Sequence, residues 1–155
     1  MPDLSLFSNN FPDFYIIERV GDVDIAKIET DIDRGNATFG WSGLQLDFGE
    51  TGQLQRAVAP LGFYLRIDPL DGFRVHGKFY TAIVDPAVKA EVLEESTFVL
   101  ERAEIDPEQV SFHSVKFPDR FLRHRNFQLF AEPVSTPADL QDACFRIAAP
   151  LAQGG

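Results

Sequence analysis

Two diverged segments of this 155-residue chain carry the same Phe-Pro-Asp turn between strand-like sequences. Ser5–Ile16 aligns with Ser111–Leu122 without a gap, so that Phe11-Pro12-Asp13 falls on Phe117-Pro118-Asp119. Proline fixes φ and aspartate hydrogen-bonds its own backbone, which predicts a turn between two strands in both segments. A chain that repeats one supersecondary unit folds by packing its copies together, so the number of copies decides the architecture.

A third and weaker copy lies between these two. It begins near Leu54 and has Pro60-Leu61-Gly62 in place of the Phe-Pro-Asp turn. In every copy the turn is followed by an aromatic residue, a hairpin, and a closing strand that contains a phenylalanine. These positions are Tyr15, Tyr64 and Phe121 before the hairpin, and Phe39, Phe98 and Phe145 in the closing strand. Variable spacing with a constant order indicates that the loops differ in length while the strands are kept.

Three copies of about four short strands predict an all-β protein with a β-trefoil fold, which is a closed threefold barrel capped by hairpins. A propeller of ordinary size needs more strands, and closure removes the exposed edges that three separate sheets would have. We expect a single domain over 1–155, with copies at approximately 4–46, 53–102 and 110–150. The sequence also predicts a loop at 31–36, a short helix at 88–93 and a frayed end at 148–155.

The excess of acidic side chains restricts the kind of partner. With 24 Asp and Glu against 14 Lys and Arg, the formal charge is −10 at pH 7. This argues against nucleic acid or an anionic membrane, because phosphates need a basic surface. The single cysteine, Cys144, excludes an internal disulfide and is predicted to be a small buried thiol.

The sequence contains no recognisable targeting or membrane segment. No apolar run approaches the ~18 residues of a membrane helix. The N-terminal residues have neither the basic nor the apolar region of a signal peptide, so we expect a cytoplasmic chain, unless it is an excised domain.

Metal ligands are not predicted. The pairs Asp22/Asp24 and Asp31/Asp33 fit no EF-hand spacing and indicate solvated acidic loops. Three scattered histidines and one cysteine do not form a zinc motif. We therefore expect neither a metal nor another cofactor.

The third copy resembles a known family. Three of its segments carry the resemblance: Ser111-Phe112-His113-Ser114-Val115 with Phe117-Pro118, then Phe121-Leu122-Arg123-His124-Arg125-Asn126, and finally Asp142-Ala143-Cys144-Phe145. They resemble the arabinose-binding (AbfB) domain, the β-trefoil carbohydrate-binding module of family 42. That module is usually attached to secreted α-L-arabinofuranosidases. The other two copies match the family mainly at structural positions.

The resemblance implies a pocket for a neutral sugar, such as an arabinofuranose side chain of arabinoxylan or arabinan. The recognition pair would be His124 and Asp142, with Phe117 covering an apolar face of the sugar and Asn126 at the end of the motif. A carboxylate can accept two hydroxyls, and an imidazole can donate or accept one further hydrogen bond. Since the family's catalytic domain is separate, the resemblance also implies that this chain is not an enzyme.

The first two copies depart from the family at both recognition positions. The position of His124 holds Glu18 and Ile67, and the position of Asp142 holds Asn36 and Glu95. Glu18 and Asn36 form a second candidate site for a polyol, whereas an isoleucine can make no hydrogen bond. We expect one working site at most. Two alternatives stay open. In the first, His124 is a solvated polar residue and Asp142 caps a loop. In the second, the trefoil is an intracellular interaction or structural domain whose sugar sites have decayed.

Overall fold

The computed structural model describes residues 1–153, a range that contains thirteen strands and three α-helices. The strands are β1 (Asp3–Ser8), β2 (Phe14–Arg19), β3 (Asp22–Lys27), β4 (Phe39–Trp41), β5 (Thr51–Gly52), β6 (Leu54–Arg56), β7 (Phe63–Asp68), β8 (Arg74–Phe79), β9 (Phe98–Arg102), β10 (Val110–Ser114), β11 (Phe121–Arg125), β12 (Gln128–Glu132) and β13 (Phe145–Ala148). The helices are α1 (Asp31–Asn36), α2 (Pro86–Glu95) and α3 (Pro137–Asp142), and two 3-10 turns cover Pro69–Asp71 and Tyr80–Ala82.

Six strand positions close into a barrel. β1 pairs with β4 on one side and with β13 on the other, and β13 continues through β10 to β9. The sixth position is split at Gln53, because β6 pairs with β4 whereas β5 pairs with β9. The barrel is therefore closed by the pairing of β1 with β13, in which Ser5 lies opposite Ala148.

Three hairpins, β2–β3, β7–β8 and β11–β12, complete the copies and pair with one another. Their contacts place Asp22 opposite His76, Asp24 opposite Gln128, and Arg74 opposite Phe130. Two barrel positions and one hairpin from each of three copies make a β-trefoil. The predicted all-β class and β-trefoil fold are confirmed.

A helix precedes the closing strand in every copy. The helix predicted at 88–93 is present as part of α2, but the loop predicted at 31–36 is wrong, because α1 occupies those residues. Thr30 and Asp33 form a reciprocal capping box that starts α1, and Asp31 and Asp33 therefore lie on a helix. In the third copy Thr136 caps α3 by accepting from the amide of Asp139.

Aromatic side chains fill the centre of the barrel. The closing-strand residues Phe39, Phe98 and Phe145 are fully buried, as are Trp41 and Phe112, whose rings lie 5.9 Å apart. Burial of side chains of this size contributes roughly 1.5–3 kcal/mol each. The rigid barrel fixes the ends of the helices and hairpins, which carry the polar residues of interest.

The segment predicted as a frayed end is attached to the barrel. The amide of Leu151 donates to Ser5 Oγ at 3.2 Å, and the amide of Ala152 donates to Thr38 Oγ1 at 3.1 Å. The last two residues of the predicted end, 154–155, lie outside the described residues. Within residues 1–153, no helix combines the length and apolar character needed to cross a lipid bilayer.

Candidate functional site

The third copy and the first copy meet at a cluster of polar side chains. Strand β11 carries His124, which is 3% exposed. Helix α3 ends at Asp142, and 3.7 Å separates its Oδ1 from Nε2 of His124. The end of β1 and the segment after it complete the cluster, because Ser8 and Asn10 both contact the imidazole. The site is therefore assembled from two copies.

Asn10 connects the buried and the exposed parts of this cluster. Its Oδ1 accepts from His124 Nε2 at 2.8 Å and from the Ser8 hydroxyl at 2.7 Å. Its Nδ2 donates to Asp142 Oδ1 at 2.9 Å. Ser8 Oγ also accepts from the backbone amide of Phe11 at 3.1 Å, which holds the loop against β1. Within residues 1–153 only one of the two Nδ2 protons is used, so the second is available to a ligand.

His124 is neutral at pH 7. Burial holds its pKa below the usual value; the charge of Asp142 opposes this shift, and the charge of Arg123 adds to it. The Asn10 oxygen can only accept, so the hydrogen bond requires the ring proton to sit on Nε2. In this arrangement His124 positions the amide of Asn10.

Asp142 presents a partly exposed carboxylate that is paired with an arginine. Its Oδ2 accepts from Arg123 Nη2 at 2.6 Å, and its side chain is 23% exposed. A carboxylate offers about four lone-pair directions, and Arg123 and Asn10 use two of them. Two acceptor positions are therefore left for hydroxyl groups that approach from solvent.

Exposed aromatic rings border the polar cluster. Phe11 lies 5.3 Å from the imidazole of His124 and is 43% exposed. Phe127, at the tip of the third hairpin, is 51% exposed and lies 6.0 Å from Phe11. Phe14 contacts both of these rings. Together the rings form an apolar surface beside the carboxylate and amide groups.

Two of the residues predicted from the sequence lie elsewhere. Phe117 was expected to cover the sugar near His124, but its ring packs against Phe73 at 5.3 Å, and Phe11 takes the place beside His124. The reason is that the turn of each copy packs beside the hairpin of the copy before it around the closed barrel. The turn of the first copy therefore lies beside the hairpin of the third. Asn126 is an exposed turn residue with φ of 52°, a conformation that asparagine tolerates well, and its side chain has no hydrogen-bond partner among residues 1–153.

The second candidate site, in the first copy, is closed by an arginine. Glu18 and Asn36 do lie together, but Arg56 Nη1 donates to both side chains, at 3.0 and 2.9 Å. Glu18 also accepts from the amides of Val20 and Gly21 and is fully buried. Its carboxylate thus holds the hairpin turn and is inaccessible to a ligand. A cavity of about 290 Å³ outside Asn36 is lined mainly by apolar groups.

The equivalent position in the second copy is also filled. Glu95 ends α2 and is fully buried, with Arg66 at 2.9 Å and Lys116 at 3.4 Å. Ile67 replaces the histidine and is buried in the core. Lys116 is equivalent to Asn10 in the repeat, so a basic side chain replaces the amide side chain.

Sequence reasoning missed Ser8, Asn10 and Phe11 as parts of the third site. A partial signal was present, since Asn10 carries an amide side chain at the repeat position where the third copy has Lys116. Closure of the barrel places the turn of the first copy beside the hairpin of the third, and comparison of the repeats alone does not show this. The assembled cluster combines hydrogen-bond acceptors, a free amide proton and an apolar face.

The sequence matches the family model of the Alpha-L-arabinofuranosidase B (ABFB) domain over residues 74–153, which is more than half of the chain. His124 and Asp142 lie inside the matched region, whereas Asn10 lies outside it. No curated protein sequence matches this chain.

Solved structures share the fold at low sequence identity. An arabinofuranosidase complexed with arabinofuranosyl-alpha-1,2-xylobiose aligns with a TM-score of 0.77 and 20% identity, over 97% of this chain and 31% of that chain. The BEL beta-trefoil aligns with a TM-score of 0.64 and 13% identity, over 94% of this chain and 90% of that chain. A Polyporus squamosus lectin bound to Neu5Aca2-6Galb1-4GlcNAc aligns with a TM-score of 0.66 and 10% identity, over 94% and 48% of the two chains.

These similarities differ in what they cover. The chain spans about a third of the length of the arabinofuranosidase, at 31%. It matches nearly the whole of the BEL beta-trefoil. At such identities the likeness shows that the fold is a β-trefoil.

Proposed function

Since the chain belongs to the Alpha-L-arabinofuranosidase B (ABFB) domain family, whose members are carbohydrate-binding modules, we propose that it binds arabinofuranosyl side chains of polysaccharides such as arabinoxylan or arabinan. The binding is non-catalytic. It takes place at the cluster of Asn10, His124 and Asp142, where the third copy meets the first.

The observation that carries this proposal is the pair of Asn10 and Asp142 beside the exposed ring of Phe11. The carboxylate accepts from two neighbouring hydroxyls of the sugar, and the free Nδ2 proton of Asn10 donates to a hydroxyl oxygen. The C–H face of the ring packs on Phe11. A neutral ligand suits this site better than an anion, because the Arg123 guanidinium that pairs with Asp142 is shared with Glu132 and Asp139.

Binding is confined to the third copy under this proposal. Arg56 fills the equivalent position in the first copy and bonds to Glu18 and Asn36. In the second copy Glu95 is buried between Arg66 and Lys116. A single site gives weak affinity for an isolated side chain, because the gain from simultaneous binding at several sites is lost.

The proposal is tested by affinity electrophoresis in gels that contain arabinoxylan, arabinan or unsubstituted xylan. We expect the wild type to be retarded by the first two polymers. Asp142→Ala should abolish the retardation while the far-ultraviolet circular dichroism spectrum is unchanged. The matched control is Asn36→Ala, which truncates the equivalent helix-end residue of the first copy and should leave retardation intact.

Two results would overturn the proposal. One is a wild type that no arabinose-bearing polymer retards. The other is equal loss of retardation in Asp142→Ala and Asn36→Ala, which would mean that the third site has no special role. Recovery of the polymer without released arabinose after long incubation tests the non-catalytic part.

A second candidate is an interaction or structural trefoil with decayed sugar sites. It is favoured by two basic side chains, Arg56 and Lys116, which occupy two of the three equivalent sites. A glycan array separates the two candidates. Signals on arabinofuranosyl glycans that vanish in Asp142→Ala support sugar binding, and a blank array supports the alternative.

A further inference from the structure

The second hairpin has a longer connection than its two counterparts. Val20 and Gly21 alone join β2 to β3, and Asn126 and Phe127 alone join β11 to β12. Five residues, 69–73, join β7 to β8, and the first three of them form a 3-10 turn. The extra turn folds Asp71 back onto β8.

This fold-back brings Asp71 together with one residue from each flanking strand. Asp68 is the last residue of β7, and His76 is the third residue of β8. One ligand atom from each of Asp68, Asp71 and His76 lies within 4.8 Å of the other two. The shortest of these contacts joins His76 Nε2 and Asp71 Oδ2 at 2.6 Å. We propose that these three side chains bind one divalent transition-metal ion, for which Zn²⁺ is the probe.

The ligand set favours a transition metal over calcium or magnesium. Zinc takes both imidazole and carboxylate ligands, whereas calcium and magnesium take oxygen ligands almost exclusively. Ligand atoms about 2.0–2.2 Å from a tetrahedral ion lie roughly 3.3–3.6 Å from one another, so side-chain rotations suffice to close the site. Metal binding needs the Nε2 lone pair, and the ring proton shared with Asp71 moves to Nδ1. Water fills the remaining coordination position.

The surrounding charges are compatible with a cation. Arg66 Nη1 lies 3.7 Å from Asp68 Oδ2, but the same guanidinium is paired with Glu95 at 2.9 Å. The Oδ1 atom of Asp68 accepts from the amide of Leu70, so the ion would take Oδ2 in competition with Arg66. Asp22 lies opposite His76 in the pairing of β3 with β8 and adds a further negative charge nearby.

The chain contains a matched control for this site. His113 Nδ1 contacts Glu101 Oε1 at 2.8 Å, which is a histidine–carboxylate pair of the same kind at the surface. The difference is the number of carboxylates, since no second acidic side chain joins His113 among the residues that the structure describes. The pair of His113 and Glu101 therefore lacks a third ligand, whereas Asp68 supplies one in the second hairpin.

The test is calorimetric titration of tag-free, metal-stripped protein with Zn²⁺. We expect one ion per chain for the wild type and for His113→Gln. His76→Gln and Asp71→Asn should each bind at least tenfold more weakly. Thermal unfolding with and without Zn²⁺ is the second readout. The stabilisation by Zn²⁺ should disappear in His76→Gln and remain in His113→Gln.

The proposal fails if the wild type and His76→Gln bind Zn²⁺ equally. It also fails if His113→Gln loses as much affinity as His76→Gln, since binding would then be distributed over surface histidines. Neither result depends on sugar binding, because the three ligands lie outside the cluster of Asn10, His124 and Asp142.

Discussion

Nδ2 of Asn10 donates a hydrogen bond of 2.9 Å to Oδ1 of Asp142, a residue that lies 132 positions later in the sequence. This contact joins the first copy of the repeat to the third. It also links the buried imidazole of His124 to the carboxylate at the surface. The candidate sugar site therefore depends on tertiary closure as much as on its own motif.

Replacement of Asn10 by alanine should weaken both sugar binding and the fold. The change removes the Asn10 oxygen that accepts from the buried Nε2–H of His124 and leaves Ser8 Oγ, 3.0 Å away, as the remaining acceptor, which costs about 0.5–1.5 kcal/mol of the free energy of unfolding. It also removes the free amide donor, and we expect roughly tenfold weaker binding to arabinoxylan. Urea unfolding and affinity electrophoresis measure the two effects. Lys116→Ala, at the equivalent position of the third copy, should leave arabinoxylan binding unchanged; equal weakening in both variants would contradict the assignment.

Replacement of Arg56 by methionine should destabilise the protein strongly. Glu18 is fully buried, and the loss of its partner leaves an uncompensated charge, which typically costs about 3–5 kcal/mol. Denaturant unfolding measures this change. The control is Arg19→Met, which removes an exposed ion pair with Asp24 and should cost about 0–1 kcal/mol. The double variant Arg56→Met/Glu18→Gln removes the buried charge and keeps an acceptor for the hairpin amides, so it should recover part of the loss. A double variant as unstable as Arg56→Met alone would refute this explanation.

Stability should fall as the pH decreases below the usual pKa of histidine. His124 has a lowered pKa in the folded state, so below about pH 6.5 the unfolded chain binds a proton that the folded chain does not. The loss continues until the folded pKa is passed and amounts to at most about 1.4 kcal/mol per pH unit. Urea unfolding at pH 7.5 and 5.5 measures it. The pH dependence should be smaller in His124→Gln; a slope unaltered in this variant would rule out this source.

The single thiol should be inert in the folded protein. Burial, with the charge of Asp106, raises the pKa of Cys144 to about 11, although Arg146 opposes the shift. At pH 8 we expect labelling by a thiol reagent to be at least roughly 100-fold slower than in urea, since only the thiolate reacts. Because the sequence has one cysteine, the signal comes from this residue alone. Equal labelling rates in buffer and in urea would mean that the site opens readily.

The fold was predictable because its determinants repeat within the sequence. The phenylalanines of the closing strands, Phe39, Phe98 and Phe145, occupy equivalent buried positions, and their order is independent of loop length. The short helices were harder to predict from hydrophobic patterning, since α1 and α3 have six residues each. Their signals are local caps, Thr30 with Asp33 at α1 and Thr136 with Asp139 at α3.

The site was predictable only in part. His124 and Asp142 come from one copy, and their proximity follows from the fold of that copy. Phe11 and Phe117 are equivalent in sequence, and the repeat alone cannot say which of them borders which hairpin. Arg56 is a further case, because an arginine at the position of Ser8 and Ser114 acts on the neighbouring copy. Contacts between copies can be predicted only when the order of the strands around the barrel is known.

The pairing of β1 with β13 has a consequence for partial chains. A fragment limited to the region of the family match, 74–153, keeps His124 and Asp142 but lacks the amide and the ring that Asn10 and Phe11 supply. A nascent chain meets the reverse problem, since it carries Asn10 long before α3 emerges from the ribosome. In both cases the site is complete only when β1 has paired with β13. Affinity for sugar would then report whether the two ends of the barrel have met.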